Sequence, residues 1–269
     1  MKQIVAQKLK DLRERSPLVH NITNFVVMNN TANAILAVGA SPMMVHGHQE
    51  VEAGVTISNS LVINIGTVDD YWTESMKKAA ACAKKLNKPW VLDPVGAGLS
   101  TFRDEVLYDL LEYEPTVIRG NASEIMALDQ FSDGETKGVD STKSSFEALS
   151  AAIALNQKYG AIVCISGEVD YIISKEKIVT VRNGSPLMTK VTGLGCSSTA
   201  VIGAFLGLHS NPFEEAIAGV SILSLAGELA HKQSNGPGSL QMHLLDILYQ
   251  MDDEILFRYL QVDEYSELF

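Results

Sequence analysis

The sequence predicts an α/β protein in which a mostly parallel central sheet is flanked by helices on both faces. Short β-branched or apolar runs alternate with amphipathic helical stretches from residue 61 onward. Strands that alternate with helices pair in parallel and are covered on both faces. The chain of 269 residues is long enough to bury a large core, and it contains no internal repeat. We therefore predict a single domain over residues 1–269.

The strands are predicted where short apolar runs such as LVINI, WVLD and AIVCI interrupt the helical stretches. Four of them are followed by helices or turns, and two more form a hairpin pair. The predicted strands are 61–65, 90–93, 116–118, 161–165, 171–174 and 178–182.

The helices are predicted from periodic apolar positions and from capping residues. The helix over 70–86 presents Trp72 and Met76 on one apolar face. The helix over 144–158 begins with a capping box of Ser144 and Glu147. Asn211 and Pro212 supply an N-cap and a first-turn proline. The other predicted helices are 101–113, a short one from 121, 196–209, 213–233 and 239–260, and the polar stretch 131–144 is predicted to be a surface loop.

The composition excludes several classes of protein. Twenty-one basic and 32 acidic residues give a net charge of −11, which repels nucleic acids. The three cysteines, Cys82, Cys164 and Cys196, are too few and too scattered for a disulfide framework or a zinc site. The amino-terminal segment lacks the apolar core of a signal peptide, and the apolar run 200–208 is too short to span a membrane. We expect a cytoplasmic protein.

Two turns after predicted strands carry charged residues, and ligands of such sheets bind at the carboxyl ends of strands. Asp93 precedes a Gly-rich turn and suits a metal or phosphate site, or it caps the following helix. In the next turn, Arg119 suits phosphate and Glu124 suits Mg²⁺. The alternative is structural, because Asn121 and Glu124 also have the spacing of a capping pair.

Two further turns are candidate binding sites. Ser166 begins a turn that suits either a hairpin or a contact with nucleotide phosphate or ribose. The segment VTGLGCSST opens an apolar helix after Gly193, where backbone N–H groups and the helix dipole form an anion site. Cys196 at that helix start has a lowered thiol pKa if it is exposed. The alternative is a structural glycine turn with a small buried cysteine. Neither a Rossmann fingerprint nor a P-loop is present.

The amino-terminal region contains polar residues among apolar ones. Asn24, in the segment HNITN, needs a buried partner or a ligand. Met44, in GASPMM, suits contact with an aromatic ring through its sulfur, or packing in the core. His20 is interpreted as a hydrogen-bonded core residue rather than a catalyst.

The chain resembles the hydroxyethylthiazole kinases of thiamine biosynthesis and salvage from about residue 16 to 239. Five segments carry the resemblance in the same order: SPLVHNITNFVVMNNTANAILAVGASPMM, LDPVGAG, IRGNASEI, ISGEVD and KVTGLGCSSTAVIGAF. It implies a ribokinase-like fold and phosphorylation of 4-methyl-5-(2-hydroxyethyl)thiazole on its hydroxyl, with ATP as co-substrate and Mg²⁺ as cofactor. Related kinases of this fold carry an Asp base where this chain and the thiazole kinases have Cys196.

The resemblance also implies roles for single residues. Cys196 lies beside the substrate hydroxyl as the catalytic residue. The family members are typically homotrimers with active sites between subunits, so the segment of Met44 and Asn24 could serve a neighbouring site. The implied sets are substrate-binding Met44, Gly193 and Asn24; ATP-binding Arg119 and Ser166; and Mg²⁺-binding Asp93 and Glu124.

Three alternatives to thiazole phosphorylation stay open at this point. One is another enzyme of the same fold, such as a hydroxymethylpyrimidine kinase or a nicotinamide-hydrate dehydratase, although Cys196 argues against the pyrimidine kinase. A second is a Cys–His hydrolase that uses Cys196 and His20. A third is a catalytically inactive ligand-binding protein.

Overall fold

The computed structural model describes residues 1–132 and 145–265, and in this part of the chain nine strands form one sheet. Their order across the sheet is β2-β1-β3-β4-β5-β6-β7-β8-β9. The pairings from β2 across to β6 are parallel, and those from β6 to β9 are antiparallel. The strands are β1 (Leu18–Ile22), β2 (Ser41–Met43), β3 (Ser60–Asn64), β4 (Trp90–Asp93), β5 (Val117–Asn121), β6 (Ile162–Ser166), β7 (Asp170–Ile173), β8 (Ile178–Val181) and β9 (Val262–Glu264).

The helices connect these strands and cover both faces of the sheet. They are α1 (Lys2–Arg15), α2 (Met28–Val38), α3 (Val51–Ile57), α4 (Asp70–Leu86), α5 (Thr101–Leu111), α6 (Ala122–Ser132), α7 (Ser145–Tyr159), α8 (Leu194–Leu206), α9 (Pro212–Lys232), α10 (Pro237–Gln250) and α11 (Asp253–Tyr259). A short 3-10 helix spans Pro186–Lys190. None of the helices in the described residues is long and apolar enough to cross a membrane.

Two hydrophobic clusters lie on opposite faces of the sheet. Residues of α1, α2, α8, α9 and α10 pack on one face, and residues of α3 to α7 pack on the other. Strand β3 supplies both clusters, because Val62 points to the first while Leu61 and Ile63 point to the second. The prediction of a mostly parallel sheet with helices on both faces is therefore confirmed.

Most predicted elements are found within three residues of their expected ends. The hairpin pair is β7 with β8, and Ser166 precedes the turn of a second hairpin between β6 and β7. Asn211 caps α9 as predicted, since its Oδ1 accepts from the N–H groups of Phe213 and Glu214. Residues 133–144, which include most of the predicted surface loop and Ser144 of the predicted capping box, lie outside the described residues.

The predicted helix over 239–260 is wrong in its second half. Helix α10 ends at Gln250, and Asp252 caps a separate helix α11 through the N–H of Ile255. An Asp followed by acidic residues is a helix start, and this signal ends the preceding helix. Strand β9 then follows α11 and pairs with β8, where further helix is expected from the sequence.

A close approach between α8 and α9 gives a test of the packing. A Cβ atom added at Gly219 would lie 2.7 Å from the Cα of Ile202, which is backbone and cannot rotate away. We expect Gly219→Ala to lower the free energy of unfolding by about 1–3 kcal/mol, because the helices must separate. The control is Gly238→Ala, where no atom lies within 4 Å of the added Cβ. Urea denaturation measures the free energy of unfolding of both variants. Equal values for Gly219→Ala and Gly238→Ala would contradict the close approach of α8 and α9.

Candidate active site

The carboxyl ends of four neighbouring parallel strands meet the amino end of α8. Strand β3 ends at Asn64, β4 at Asp93 and β6 at Ser166, and β5 carries Arg119 near its end. Helix α8 lies across β3 and β4, and its first two turns face these residues, because Thr199 bonds to Asp93 and a Cβ added at Gly195 would meet Arg119. Most of the residues predicted from the sequence are therefore brought together at one edge of the sheet.

Asp93 is a buried carboxylate at the centre of this edge, with 1% of its surface exposed. Its Oδ2 accepts hydrogen bonds from Asn64 Nδ2 at 2.6 Å and from Thr199 Oγ1 at 2.7 Å. Its Oδ1 is buried and has no hydrogen-bond partner in the described part of the chain. The alternative role as a cap of the next helix is wrong, because Ser100 caps α5.

Burial raises the pKa of Asp93 to about 6. Desolvation is the largest cause, and the nearby Arg119 charge opposes it while the Glu124 charge adds to it. The two donors on Oδ2 also favour the ionised form without offsetting the burial. Asp93 is thus a carboxylate that gains from a bound cation at its free oxygen.

Glu124 forms the predicted capping pair and also holds the turn after β4. Its Oε2 accepts from the N–H of Asn121 at 2.9 Å, and Asn121 Oδ1 accepts from the N–H of Glu124 at 2.9 Å. Its Oε1 accepts from the N–H of Gly96 at 3.0 Å. The structural interpretation from the sequence is confirmed, and each carboxylate oxygen keeps a second lone pair for a further ligand.

The Arg119 guanidinium lies against the start of α8. A Cβ added at Gly195 would be 2.9 Å from Arg119 Nη1, so the glycine makes room for this side chain. The Arg119 guanidinium has no hydrogen-bond or ion-pair partner within residues 1–132 and 145–265, which leaves its donors for a ligand. An unpaired guanidinium beside a helix amino end is a strong anion site.

Ser166 ends β6 beside Asn121 of β5. Its hydroxyl donates to the carbonyl oxygen of Gly120 at 3.4 Å. Gly120 follows Arg119 on the adjacent strand β5, so Ser166 and Arg119 lie on neighbouring strands. The hairpin interpretation of this turn is confirmed by the antiparallel β6–β7 pairing. A nucleotide contact from Ser166 stays a prediction.

Gly193 precedes α8 and has the backbone conformation that the sequence predicts for it. Its φ of 82° favours glycine, and a Cβ there would lie 2.3 Å from Val27 Cγ1. The N–H groups at the first turn of a helix have no partner within the helix. The backbone N–H groups of residues 194–196 therefore lie at the helix start as the sequence predicts, and anion binding there stays a prediction.

Cys196 does not have the lowered pKa that its position at a helix start predicts. Burial, together with the negative charge of Asp93, raises the pKa of the thiol to about 11. The expectation depended on an exposed thiol, and Cys196 is partly buried. The desolvation of the thiolate outweighs the helix dipole, so the thiol stays protonated at neutral pH.

Asn24 lies beside Cys196 of the same chain. Its Nδ2 is 3.6 Å from Cys196 Sγ and donates to Asn64 Oδ1 at 2.8 Å. Asn64 and Thr199 are the functional residues that the sequence interpretation missed. The signal for Asn64 is its place at the end of β3, next to the strand of Asp93.

Met44 and His20 lie at a different place from Cys196. Met44 directly follows edge strand β2, and β1 separates β2 from β3. His20 is fully buried in β1, and its Nε2–H donates to the Val45 carbonyl oxygen at 2.7 Å. Burial also lowers the pKa of His20. No hydrogen bond joins His20 to Cys196 in the described residues, so the core interpretation of His20 is confirmed.

The acidic residues at this edge fit one divalent cation. No group of three or more His, Cys, Asp or Glu side chains that could hold a metal occurs in the described residues. Mg²⁺ nevertheless needs only one or two carboxylates when water and phosphate complete its shell. The free Asp93 Oδ1 and the second lone pairs of Glu124 meet that requirement.

The fold of the chain is ribokinase-like. A ribokinase-like superfamily protein from Enterococcus faecalis V583 has a TM-score of 0.67 over 94% of this chain and 95% of its own, at 15% identity, which shows the fold alone. A hydroxyethylthiazole kinase protein from Pyrococcus horikoshii OT3 has a TM-score of 0.92 and 39% identity, and the match covers 98% of this chain and 100% of that chain.

Sequence comparison identifies the particular family. The model of the Hydroxyethylthiazole kinase family matches residues 9–254. A hydroxyethylthiazole kinase from Syntrophus aciditrophicus is 50% identical over 255 residues, which are 94% of each chain. The chain therefore belongs to the hydroxyethylthiazole kinase family and is a kinase. The alternative of a Cys–His hydrolase is wrong.

The buried carboxyl of Asp93 gives a test by the pH dependence of stability. Its pKa is 3.8 when unperturbed and about 6 in the fold, so the folded state binds more protons between pH 4 and 6. Stability from this group therefore falls as pH rises through that window. We expect the free energy of unfolding of Asp93→Asn to exceed that of the wild type by about 1–3 kcal/mol above pH 6. Below pH 4, we expect a much smaller difference.

Denaturation without divalent cations, at several pH values, measures the difference. A stability difference that does not change with pH would contradict the raised pKa.

Proposed function

We propose that this protein transfers the γ-phosphoryl group of ATP to the hydroxyl of 4-methyl-5-(2-hydroxyethyl)thiazole, in thiamine biosynthesis or salvage. The observation that carries the proposal is the cluster at the start of α8. There, the Arg119 guanidinium, free backbone N–H groups and the Cys196 thiol lie together. An anion site beside a group that can contact a hydroxyl is what phosphoryl transfer to an alcohol requires.

The chemistry needs positioning and charge stabilisation more than it needs a strong base. The alcohol oxygen forms a bond to the γ-phosphorus as the bond from that phosphorus to the β–γ bridging oxygen breaks, and ADP leaves. The N–H groups at 194–196 and Arg119 hold the negative oxygens of the transferring group. The proton of the alcohol leaves late, to phosphate oxygen or solvent.

Asp93 and Glu124 are the residues that hold Mg²⁺ in this proposal, directly or through water. The bound cation neutralises charge on the phosphate oxygens of ATP. Asp93 is suited to this because its Oδ1 lacks a partner and its ionised form is costly without a cation. Thr199 and Asn64 orient the carboxylate by holding its other oxygen.

Cys196 is the residue proposed to contact the substrate hydroxyl. With a pKa of about 11, the thiol is protonated near neutral pH and is poorly suited to remove a proton. Placing the hydroxyl by a hydrogen bond is the role that this protonation state supports. Asn24 lies beside the thiol and is proposed, with Gly193, to contact the same substrate.

The remaining site residues complete the proposal. Ser166 contacts ATP from the end of β6. Met44 contacts the thiazole ring, and because it follows edge strand β2, we assign it to the site of a neighbouring subunit in a homotrimer. ATP is the phosphoryl donor, and we propose a cytoplasmic location, where ATP is available, for this single-domain kinase.

Turnover with defined alcohols tests the proposal. A coupled assay of ADP release compares the thiazole alcohol, a hydroxymethylpyrimidine and a sugar, each with ATP and Mg²⁺. We expect ADP release to depend on the thiazole alcohol and on the metal. Turnover of the pyrimidine or the sugar, without turnover of the thiazole alcohol, would overturn the proposal.

Substitutions of Cys196 separate placement from base catalysis. We expect Cys196→Ala to lower kcat by about 5–10-fold, which is the effect of one lost hydrogen bond. Loss of a general base would cost about a hundredfold or more. Cys196→Asp should keep or raise kcat, since its carboxylate can act as a base. Steady-state rates between pH 6 and 9 measure both variants. An alanine variant as fast as the wild type would show that the thiol is not needed.

A further inference from the structure

The turn after β3, residues 64–67, holds the segment that carries Asn24. Asn64 Oδ1 accepts from Asn24 Nδ2 at 2.8 Å, and Thr67 Oγ1 accepts from the N–H of Phe25 at 3.0 Å. Asn24 also packs directly on Gly66, because a Cβ added there would lie 2.6 Å from Asn24 Nδ2. Two hydrogen bonds and one close contact thus join these two segments.

The orientation of the Asn64 amide is determined by its partners. Its Nδ2 donates to the Asp93 carboxylate, which can only accept when ionised. Its Oδ1 accepts from the N–H of Gly66 at 3.0 Å, and that group can only donate. The amide cannot be reversed without breaking both bonds. Asn64 Oδ1 therefore faces Asn24 as an acceptor.

The orientation of Asn24 follows from that of Asn64. Its Nδ2 must point to the acceptor on Asn64, and its Oδ1 accepts from the N–H of Val26 at 3.1 Å. The Nδ2 therefore lies toward Cys196 Sγ, at 3.6 Å, as a donor. Asn24 and Asn64 are both nearly fully buried, so water does not compete with these bonds.

Arg103 of α5 fixes the turn from its other side. Its Nη1 donates to the carbonyl oxygens of Ile65, at 2.5 Å, and Val95, at 2.7 Å, and its Nη2 donates to that of Gly66, at 3.2 Å. The turn after β3 is thereby tied to the turn after β4. Gly66 cannot move away from Asn24 without breaking its bond to Arg103.

We propose that Asn64 and Gly66 are positioning residues that hold the Asn24 amide beside the Cys196 thiol, where it orients the substrate hydroxyl. Asn64 supplies the acceptor that fixes the amide, and Gly66 supplies the space that the amide occupies. The inference rests on the proposed function for the substrate, and on the hydrogen bonds and the close contact of Asn24 for the positioning.

The experiment combines Gly66→Ala with Asn24→Gly. The added methyl group pushes the amide away while the bond between Asn64 and Asp93 stays in place. We expect Gly66→Ala to lower kcat/KM for the thiazole alcohol about tenfold, with the KM for ATP unchanged. In the Asn24→Gly background, Gly66→Ala should have no further effect, because glycine removes both the amide and the Cβ of residue 24, which lies 2.9 Å from the added methyl group. Gly238→Ala is the control glycine substitution, and thermal unfolding checks that each variant is folded.

A second pair of variants tests Asn64. Thr199→Val removes the other donor to Asp93 and does not involve Asn24. If Asn64 acts through Asn24, the double variant Asn64→Ala/Asn24→Ala should lose no more kcat/KM than the more damaging single variant. In the double variant Thr199→Val/Asn24→Ala, the two losses in kcat/KM should multiply. If the effects of Asn64→Ala and Asn24→Ala on kcat/KM do multiply, Asn64 acts through Asp93 or directly on the Cys196 thiol rather than through Asn24, and the inference is overturned.

A measurement that needs no substrate tests the positioning of Asn24 independently of the proposed function. Mass spectrometry of alkylated peptides follows the reaction of iodoacetamide with Cys196 apart from Cys82. We expect Gly66→Ala to change the rate of Cys196 alkylation at least threefold in the wild type and not in the Asn24→Gly background. This result would hold even if the thiazole alcohol were not phosphorylated. An equal change in both backgrounds would overturn the positioning role.

Discussion

The carboxylate of Asp93, buried at the end of strand β4, determines how the residues around it are arranged. Asp93 cannot be ionised at this depth without donors, and it receives them from Asn64 on the neighbouring strand and from Thr199 on α8. These two bonds tie the sheet to the first turns of α8. Asn64 then fixes Asn24, and Asn24 reaches Cys196. The residues of the proposed anion and cation sites and the Cys196 thiol are thus held together by the hydrogen bonds that a single buried charge requires.

Several residues at this edge of the sheet both stabilise the fold and belong to the proposed site. Glu124 joins the start of α6 to the turn after β4 through Asn121 and Gly96, and it is also the second acidic residue of the proposed cation site. Gly195 makes room for Arg119, and Gly193 makes room for Val27. A sheet whose strands end together brings such groups within reach of one ligand, because each turn contributes one or two side chains to a common edge.

Much of the fold can be predicted from the sequence, because its strands are short apolar runs and its helices carry visible caps. The first strand is harder to predict, since β1 contains His20 and Asn21, which are buried and polar. The break between α10 and α11 depends on one capping residue, Asp252, inside an apolar pattern that would otherwise continue. Strand β9 is three residues long and forms through pairing with β8, which no local pattern reveals.

The candidate site is predicted unevenly for a physical reason. Asp93, Arg119 and Glu124 stand out because charged groups at strand ends are costly without a partner. Asn64 and Gly66 do not stand out, because an amide and a glycine are ordinary in turns, and their role depends on which strand lies beside which. The pKa of Cys196 also needs the structure, since the helix start and the burial act in opposite directions.

The protonated state of Cys196 has a consequence for the chemical durability of this enzyme. The thiolate, and not the thiol, attacks peroxides and disulfides, so a thiol with a pKa of about 11 offers very little of the reactive form. A cysteine at the centre of a site is usually a point of oxidative damage. Here, burial and the neighbouring carboxylate keep the Cys196 thiol protonated, so we expect its oxidation to be slow. The protein therefore carries a cysteine at this position with little risk of oxidative damage.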